Sequence, residues 1–363
     1  MNKIDINGYK SIRQLSLELK PINILIGANG SGKSNFLSFF DFLKQIYRRN
    51  LQESVALKGI DTFLHKGEKV TTEISAHLHF PNTNGYSFIL KKGDDRFIFT
   101  EEALWCDNPQ YPNPFDVTSG KLGPESKLSS QTIPRAYYIR RYLDQLAKYH
   151  FHDTGENSPF NKVSNIENDI FYLYEKGSNL SALLYHIREK EPIVYQLIVQ
   201  TIQSIAPYFF DFFLRPEKNG NLKLRWQSRY SSTVYGASDL SDGTIRFIAL
   251  ATLFLQPGLS QTIIIDEPEL GLHPAAIAKL AGLIRSVAAK GYQVIIATQS
   301  TDLISHFDPE DIITVDQIDG ESRFTRLDSE ELAVWLEDYT IDDLWKRNII
   351  RTGQPVVITN VNI

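Results

Sequence analysis

Residues 22–49 read INILIGANGSGKSNFLSFFDFLKQIYRR. The apolar run ending in glycine predicts a buried strand. The last third has apolar residues at helical spacing and closes on Arg48 and Arg49, which suit a helix C-terminus. Between them, Gly27 to Ser34 match the pattern G-x4-G-K-[ST]. In that pattern the glycines let the backbone curl so that several N–H groups point at one phosphate, and the helix N-terminus adds partial positive charge. Lys33 is predicted to reach the β- and γ-phosphates, and the Ser34 hydroxyl to ligate Mg²⁺. This order of strand, loop and helix commits the chain to an α/β fold around a nucleotide.

A second group of motifs lies more than two hundred residues further on. TIIIDEPE, Thr262 to Glu269, is an apolar strand that carries Asp266 to its C-terminal edge, where open α/β sheets bind ligands. Asp266 is expected to hold Mg²⁺, through water, and Glu267 to polarise the attacking water as general base. Glu269 is either a solvated carboxylate or a structural anchor. QVIIATQS, Gln293 to Ser300, is another buried strand with polar residues at its end. Gln299 reads either as a γ-phosphate sensor or as part of a cap on the next helix. LSDGT, Leu240 to Thr244, runs straight into an apolar helix, so Ser241 and Gly243 offer a second anion site at a helix N-terminus. A second such site is useful only on the opposite face of the γ-phosphate, and another subunit is its simplest source. Ser241 is equally a helix cap.

The rest of the pattern supports a mixed architecture. MNKIDINGYKSIRQLSLEL predicts a hairpin broken at Gly8, and Thr71 to Trp105 alternate with period two as an antiparallel meander. Residues 106–130 are rich in Pro, Ser and Gly and read as a surface loop. Residues 134–214 carry helical spacing without sustained heptads, which argues against a coiled-coil arm. A strand pair turning at KNGN follows at 214–229. Strands and a helix then alternate, which implies parallel sheet, and DSEELAVWLEDYTIDDLWKRN predicts one or two terminal helices. The organisation expected is 1–133, an N-terminal lobe; 134–214, a helical insert; and 215–363, a C-terminal lobe.

Composition bounds the function classes. Of 363 residues, 42% are hydrophobic and 22% charged, which is globular composition, and the net charge of −5 supplies no overall basic field. Nucleic-acid contact would need a local patch, for which Arg135, Arg140, Arg141 and Lys148 are candidates beside the alternative of a solvated helix face. Cys106 has no second cysteine to pair with, which fits a cytoplasmic location, as does the lack of a signal-peptide pattern or a long apolar run. His150, His152 and Asp153 in YHFHDT fit either an incomplete metal site or hydrogen bonds at the base of the insert.

Taken together, these motifs resemble the ABC-type ATPase head of the RecF/SMC/OLD group, and more closely a family of bacterial AAA-ATPase-like proteins of about this length. The resemblance is carried by INGYKSI, GANGSGKS, DTFLHKG, YHFHDTG, GSNLSALL, LSDGTIRFIALATL, IIIDEPELGLHP, VIIATQS and WLEDYTIDDLW, and covers nearly the whole chain. It implies an α/β ABC-type head with a mixed central sheet, an antiparallel β lobe and a helical insert. It also implies hydrolysis of ATP with Mg²⁺ in a head-to-tail homodimer. By position, Lys10 and Ser11 lie near the nucleotide. Asn29, Gly30, Ser31, Gly32, Lys33, Ser34 and Asn35 surround its phosphates. Ser241, Asp242 and Gly243 reach across the dimer, and His273 ends the D-loop that begins at Gly271. Such relatives act in genome maintenance or anti-phage defence, often beside a nuclease, Toprim-like or toxin effector, and no membrane partner is implied. The competing reading is an ATPase that acts directly on DNA or accompanies a repair nuclease. The chain departs from the pattern at Gln299, where His is usual, at Asp242, and at the final TGQP. It also lacks a clear Q-loop glutamine, for which Gln52 and the His65–Lys66 segment are the candidates.

Overall fold

A computed structural model describes residues 1–81, 84–106, 123–132, 134–347 and 350. Most of the loop expected at 106–130 and the TGQP tail lie outside the described residues. In chain order the elements begin β1 (Lys3–Tyr9), β2 (Ile12–Glu18), β3 (Ile22–Ile26), α1 (Lys33–Arg48), α2 (Leu51–Lys58), β4 (Glu73–His79), β5 (Asn84–Lys92), β6 (Phe97–Cys106) and α3 (Pro134–Asp144). They continue with β7 (Leu146–Tyr149), β8 (Ser164–Asn165), α4 (Leu180–Lys190), α5 (Pro192–Gln203), β9 (Phe209–Phe212), β10 (Asn221–Leu222), β11 (Arg225–Ser228), β12 (Val234–Gly236) and α6 (Asp242–Leu255). The last are β13 (Thr262–Asp266), α7 (Pro274–Ala289), β14 (Gln293–Thr298), α8 (Thr301–Ile304), β15 (Ile312–Ile318), β16 (Glu321–Arg326), α9 (Ser329–Leu336) and α10 (Ile341–Lys346). Two compact units organise them: Met1–Leu146 with Phe307–Ile363, and Ala147–His306.

In the first unit, an antiparallel sheet runs β2-β1-β4-β5-β6. The residues alternate as predicted: Ile4, Ile6, Ile74, Ala76, Leu78, Phe88 and Leu90 turn inward and are buried. The hairpin turn is made by Lys10 and Ser11, between the paired Tyr9 and Ile12, and not at Gly8, which stays within β1. A mixed set of strands carries the phosphate-loop pattern. β3 pairs parallel with β15, and β15 pairs antiparallel with β16. α1 is anchored by an aromatic cluster in which Phe39 and Phe42 pack on Tyr9, Phe42 on Phe63, and Phe36 on Phe324. Each such ring buried is worth roughly 1.5–3 kcal/mol relative to exposure. That burial fixes the helix whose first residue is Lys33.

In the second unit, β13 and β14 pair parallel, Thr262 opposite Gln293 and Asp266 opposite Ala297. Ile263, Ile264, Ile265 and Val294 to Ala297 are all buried, as strands covered on both faces must be. α6 is buried on every side from Ile245 to Phe254, the mark of a core helix.

The helical reading of 134–214 holds for α3, α4 and α5 only. Between α3 and α4 the chain is largely irregular and is held by side chains. Asn179 Nδ2 donates to Asp169 O at 2.9 Å and Tyr172 O at 2.8 Å. The strand pair expected at 214–229 also differs. A turn forms at Lys218–Gly220, but β10 pairs with β8, and β11 lies between β9 and β12. Among the described residues no helix is long and apolar enough to cross a membrane.

Candidate active site

The first unit assembles the phosphate-loop residues. β3 delivers Gly27 against β15, so closely that a Cβ there would lie 2.2 Å from Val315 O. Gly32 has φ +113°, and a Cβ on it would lie 1.9 Å from Ser322 Oγ. A side chain is therefore excluded both by backbone conformation and by space. Ser322 Oγ donates to Ser31 O at 2.6 Å and lies 2.7 Å from Ser11 Oγ, to which Asn35 Nδ2 also donates at 2.7 Å. This small polar cluster ties the loop to the hairpin turn and to β16. Lys33 Nζ folds back on the loop, donating to Gly27 O at 2.6 Å and Ala28 O at 3.0 Å. α1 has no side-chain cap and no acidic residue in its first turn. Its N-terminal N–H groups and partial positive charge therefore suit an anion, with no side chain competing for them. Asn29, Gly30 and Ser34 are exposed at the same end of the helix.

Lys10 takes a left-handed conformation, φ 49°, and its Nζ donates to Ser38 Oγ at 2.8 Å, along α1 from Ser34. His65 holds that turn from behind: its Nδ1 lies 2.7 Å from Lys10 O, and the ring is buried. Gln52 is engaged elsewhere, its Nε2 donating to Phe97 O at 3.1 Å and Pro124 O at 2.5 Å.

The second unit brings the remaining motifs to the C-terminal edge of β13 and β14. Asp266 ends β13, and Glu267 follows with φ 43°. Such a conformation costs a non-glycine residue of the order of 1–3 kcal/mol and clusters at functional sites. Gln299 Nε2 donates to Glu267 Oε1 at 2.6 Å, so the expected sensor and the expected base touch. Thr298 Oγ1 donates to Glu269 Oε1 at 2.5 Å and accepts from Ser300 N at 2.9 Å. Burial pushes the Glu269 carboxyl above the usual carboxylate range. Glu269 is thus a structural anchor rather than a solvated carboxylate. Ser300 caps α8 through Leu303 N, while the Gln299 side chain is turned to Glu267.

Ser241 is exposed and caps α6, its Oγ accepting from Thr244 N at 3.2 Å. Asp242 accepts from Thr154 Oγ1 at 2.8 Å. A Cβ on Gly243 would lie 2.3 Å from Gly271 O, so the start of α6 and the loop after β13 are in backbone contact. His273 is exposed and caps α7 through Ala275 N. The metal reading of YHFHDT gains no support: among the described residues no three His, Cys, Asp or Glu side chains gather as a metal site. The His152 ring turns instead to the backbone, its Nε2–H donating to Asp266 O at 3.0 Å.

Sequence reasoning missed Ser322 and the buried Arg246, each of which acts on backbone carbonyls far away in the chain, and of its two readings of His152 the structure shows the hydrogen bond. Ser34 in the first unit carries a hydroxyl and Asp266 in the second a carboxylate, each an oxygen ligand of the kind Mg²⁺ takes.

Residues 22–305 match the family described as "AAA domain, putative AbiEii toxin, Type IV TA system". The Old nuclease of Escherichia phage P2 is 24% identical over 344 residues, 83% of this chain. The chain spans 56% of that relative's length. A solved SmcHead bound to the C-winged helix domain of ScpA superposes with a TM-score of 0.60 at 18% identity, covering 92% of this chain and 99% of that one. The Smc head domain with an extended coiled coil bound to the C-terminal domain of ScpA, derived from Pyrococcus furiosus, gives 0.58 at 16% identity, covering 93% and 98%. The chain belongs to this AAA family, and its fold is that of an ABC-type ATPase head of the RecF/SMC/OLD kind.

Proposed function

We propose that the protein binds and hydrolyses ATP with Mg²⁺ in a head-to-tail homodimer and uses the cycle as a switch on a separate effector. The observation that carries the reading is the contact of Gln299 with Glu267 on a strained backbone, one residue after Asp266. A carboxylate that is to take a proton from water needs a fixed position, and an amide donor supplies it. The phosphate loop supports the same reading through Lys33 and the uncapped start of α1. Ser34 and Asp266 would hold Mg²⁺, which neutralises phosphate charge when bound. Ser241, Asp242 and Gly243 would complete the partner's site, with His273 beside them. The family description, with its toxin and its Type IV system, favours an anti-phage or toxin setting for the effector.

Direct action on nucleic acid is the second reading, favoured by the relative named Old nuclease and by α3, where Tyr137 and Tyr138 are exposed beside Arg141. Aromatic and basic groups together suit a single strand. One set of measurements tests both. The purified protein should release phosphate from ATP only with Mg²⁺, and its sedimentation mass should double with ATP. DNA that binds in a salt-dependent way and changes the hydrolysis rate would move the assignment to the second reading. Hydrolysis indifferent to DNA leaves the protein effector as the target.

A further inference from the structure

The segment Tyr149–Thr154 lies between the two motifs that the ATPase reading assigns to different nucleotides. The peptide joining Asp266 to Glu267 is pinned at both ends. Its oxygen accepts from His152 Nε2 at 3.0 Å, and its N–H donates to Ala297 O at 2.8 Å. That peptide sets the left-handed conformation of Glu267, so His152 fixes where the carboxylate points without touching it. The His150 ring packs on His152 at 4.0 Å between centroids, and His150 N–H is anchored on Glu175 O at 2.9 Å.

The same segment is tied to the start of α6. The buried guanidinium of Arg246 donates through Nε to Phe151 O at 3.0 Å and through Nη2 to His152 O at 3.2 Å. Its Nη1 donates to Leu270 O in the loop after β13. Further out, Thr154 Oγ1 donates to Asp242 Oδ1 at 2.8 Å. A movement of the α6 N-terminus therefore has a continuous hydrogen-bonded route to the Asp266–Glu267 peptide.

We infer that His152 is a positioning residue, and that the segment Phe151–Thr154 couples the Ser241–Gly243 end of α6 to the Glu267 carboxylate. The inference rests on the head-to-tail ATPase reading. In such a dimer the α6 N-terminus of a chain serves one ATP and its Glu267 the other. The coupling would then make hydrolysis at the two sites cooperative.

The experiment is steady-state hydrolysis against ATP concentration for wild type, His152→Ala, His152→Gln and Thr154→Val, with ADP affinity and melting temperature measured on each. Wild type should give a Hill coefficient approaching about 2, the number of sites. His152→Ala should bring it to about 1 and lower kcat roughly tenfold, with ADP affinity within about twofold. His152→Gln should restore most of both, because its amide N–H can reach the same carbonyl. Thr154→Val, at the surface, should lower the Hill coefficient without unfolding the chain, and it keeps the test open if His152→Ala does not fold. Unchanged cooperativity and kcat in His152→Ala, or in Thr154→Val where His152→Ala does not fold, would overturn the inference. So would a loss that follows melting temperature and is not rescued by Gln. A failure of the ATPase reading looks different: wild type itself then neither hydrolyses ATP nor dimerises with it.

Discussion

Lys33→Ala should lower ATP affinity at least a hundredfold in titration calorimetry, while the melting temperature of the free protein changes little. The size follows from the bonds lost. A charge-assisted hydrogen bond is worth about 1.5–3 kcal/mol, and Lys33 is assigned one to each of two phosphates. Removing both amounts to roughly 3–6 kcal/mol, and each 1.4 kcal/mol is tenfold in affinity. In the free protein Nζ gives up its bonds to Gly27 O and Ala28 O, both within its own loop. Alanine is also a better helix former at the start of α1 than lysine. Affinity that survives the substitution would place the phosphates somewhere other than at this loop.

Glu267→Gln should lower hydrolysis about a hundred- to a thousandfold, in the range for losing a general base, and leave ATP binding intact. The carboxamide oxygen can still accept from Gln299 Nε2, which now lies 2.6 Å from Glu267 Oε1. Geometry is kept and only the proton acceptor is lost. ATP then persists in the site, and the protein should elute as a dimer in gel filtration with ATP and as a monomer without it. A protein that remains monomeric at high concentration and saturating ATP would contradict the sandwich arrangement. One that still hydrolyses at the wild-type rate would remove Glu267 from the role of base.

The parts of this account most legible in the sequence are those where one local period carries the signal. β3, β13 and β14 are short apolar runs buried on both faces, and α1 follows the glycine loop at once, so strand, loop and helix could be read directly. The stretch between α3 and α4 could not. Phe151, Phe160 and Leu173 are buried there, but one by one, in a chain bent at Gly177 and fixed by Asn179, so no local period marks its path. The pairing of β10 escaped for a related reason: its partner β8 is two residues long and more than fifty positions away. Within the site, residue types showed what Lys33, Asp266 and Glu267 can do. They did not show Ser322, which reaches the glycine loop from β16, or the target of His152, a backbone oxygen that sequence does not mark. The switch glutamine reads as a departure in sequence, and the structure gives it a partner in Glu267.

The central claim is that one active site is built from two chains, and it can be tested by mixing two inactive ones. Lys33→Ala breaks the phosphate loop, and Ser241→Arg, at an exposed position, blocks the face offered to the partner. Each variant alone should show little hydrolysis. When they are mixed in equal amounts, half of the dimers pair one of each. In every such dimer one site joins an intact loop to an intact Ser241, so activity should return to up to about a quarter of wild type, less where that site works best with its neighbour filled. No recovery, with heterodimers shown to form, would contradict the shared site.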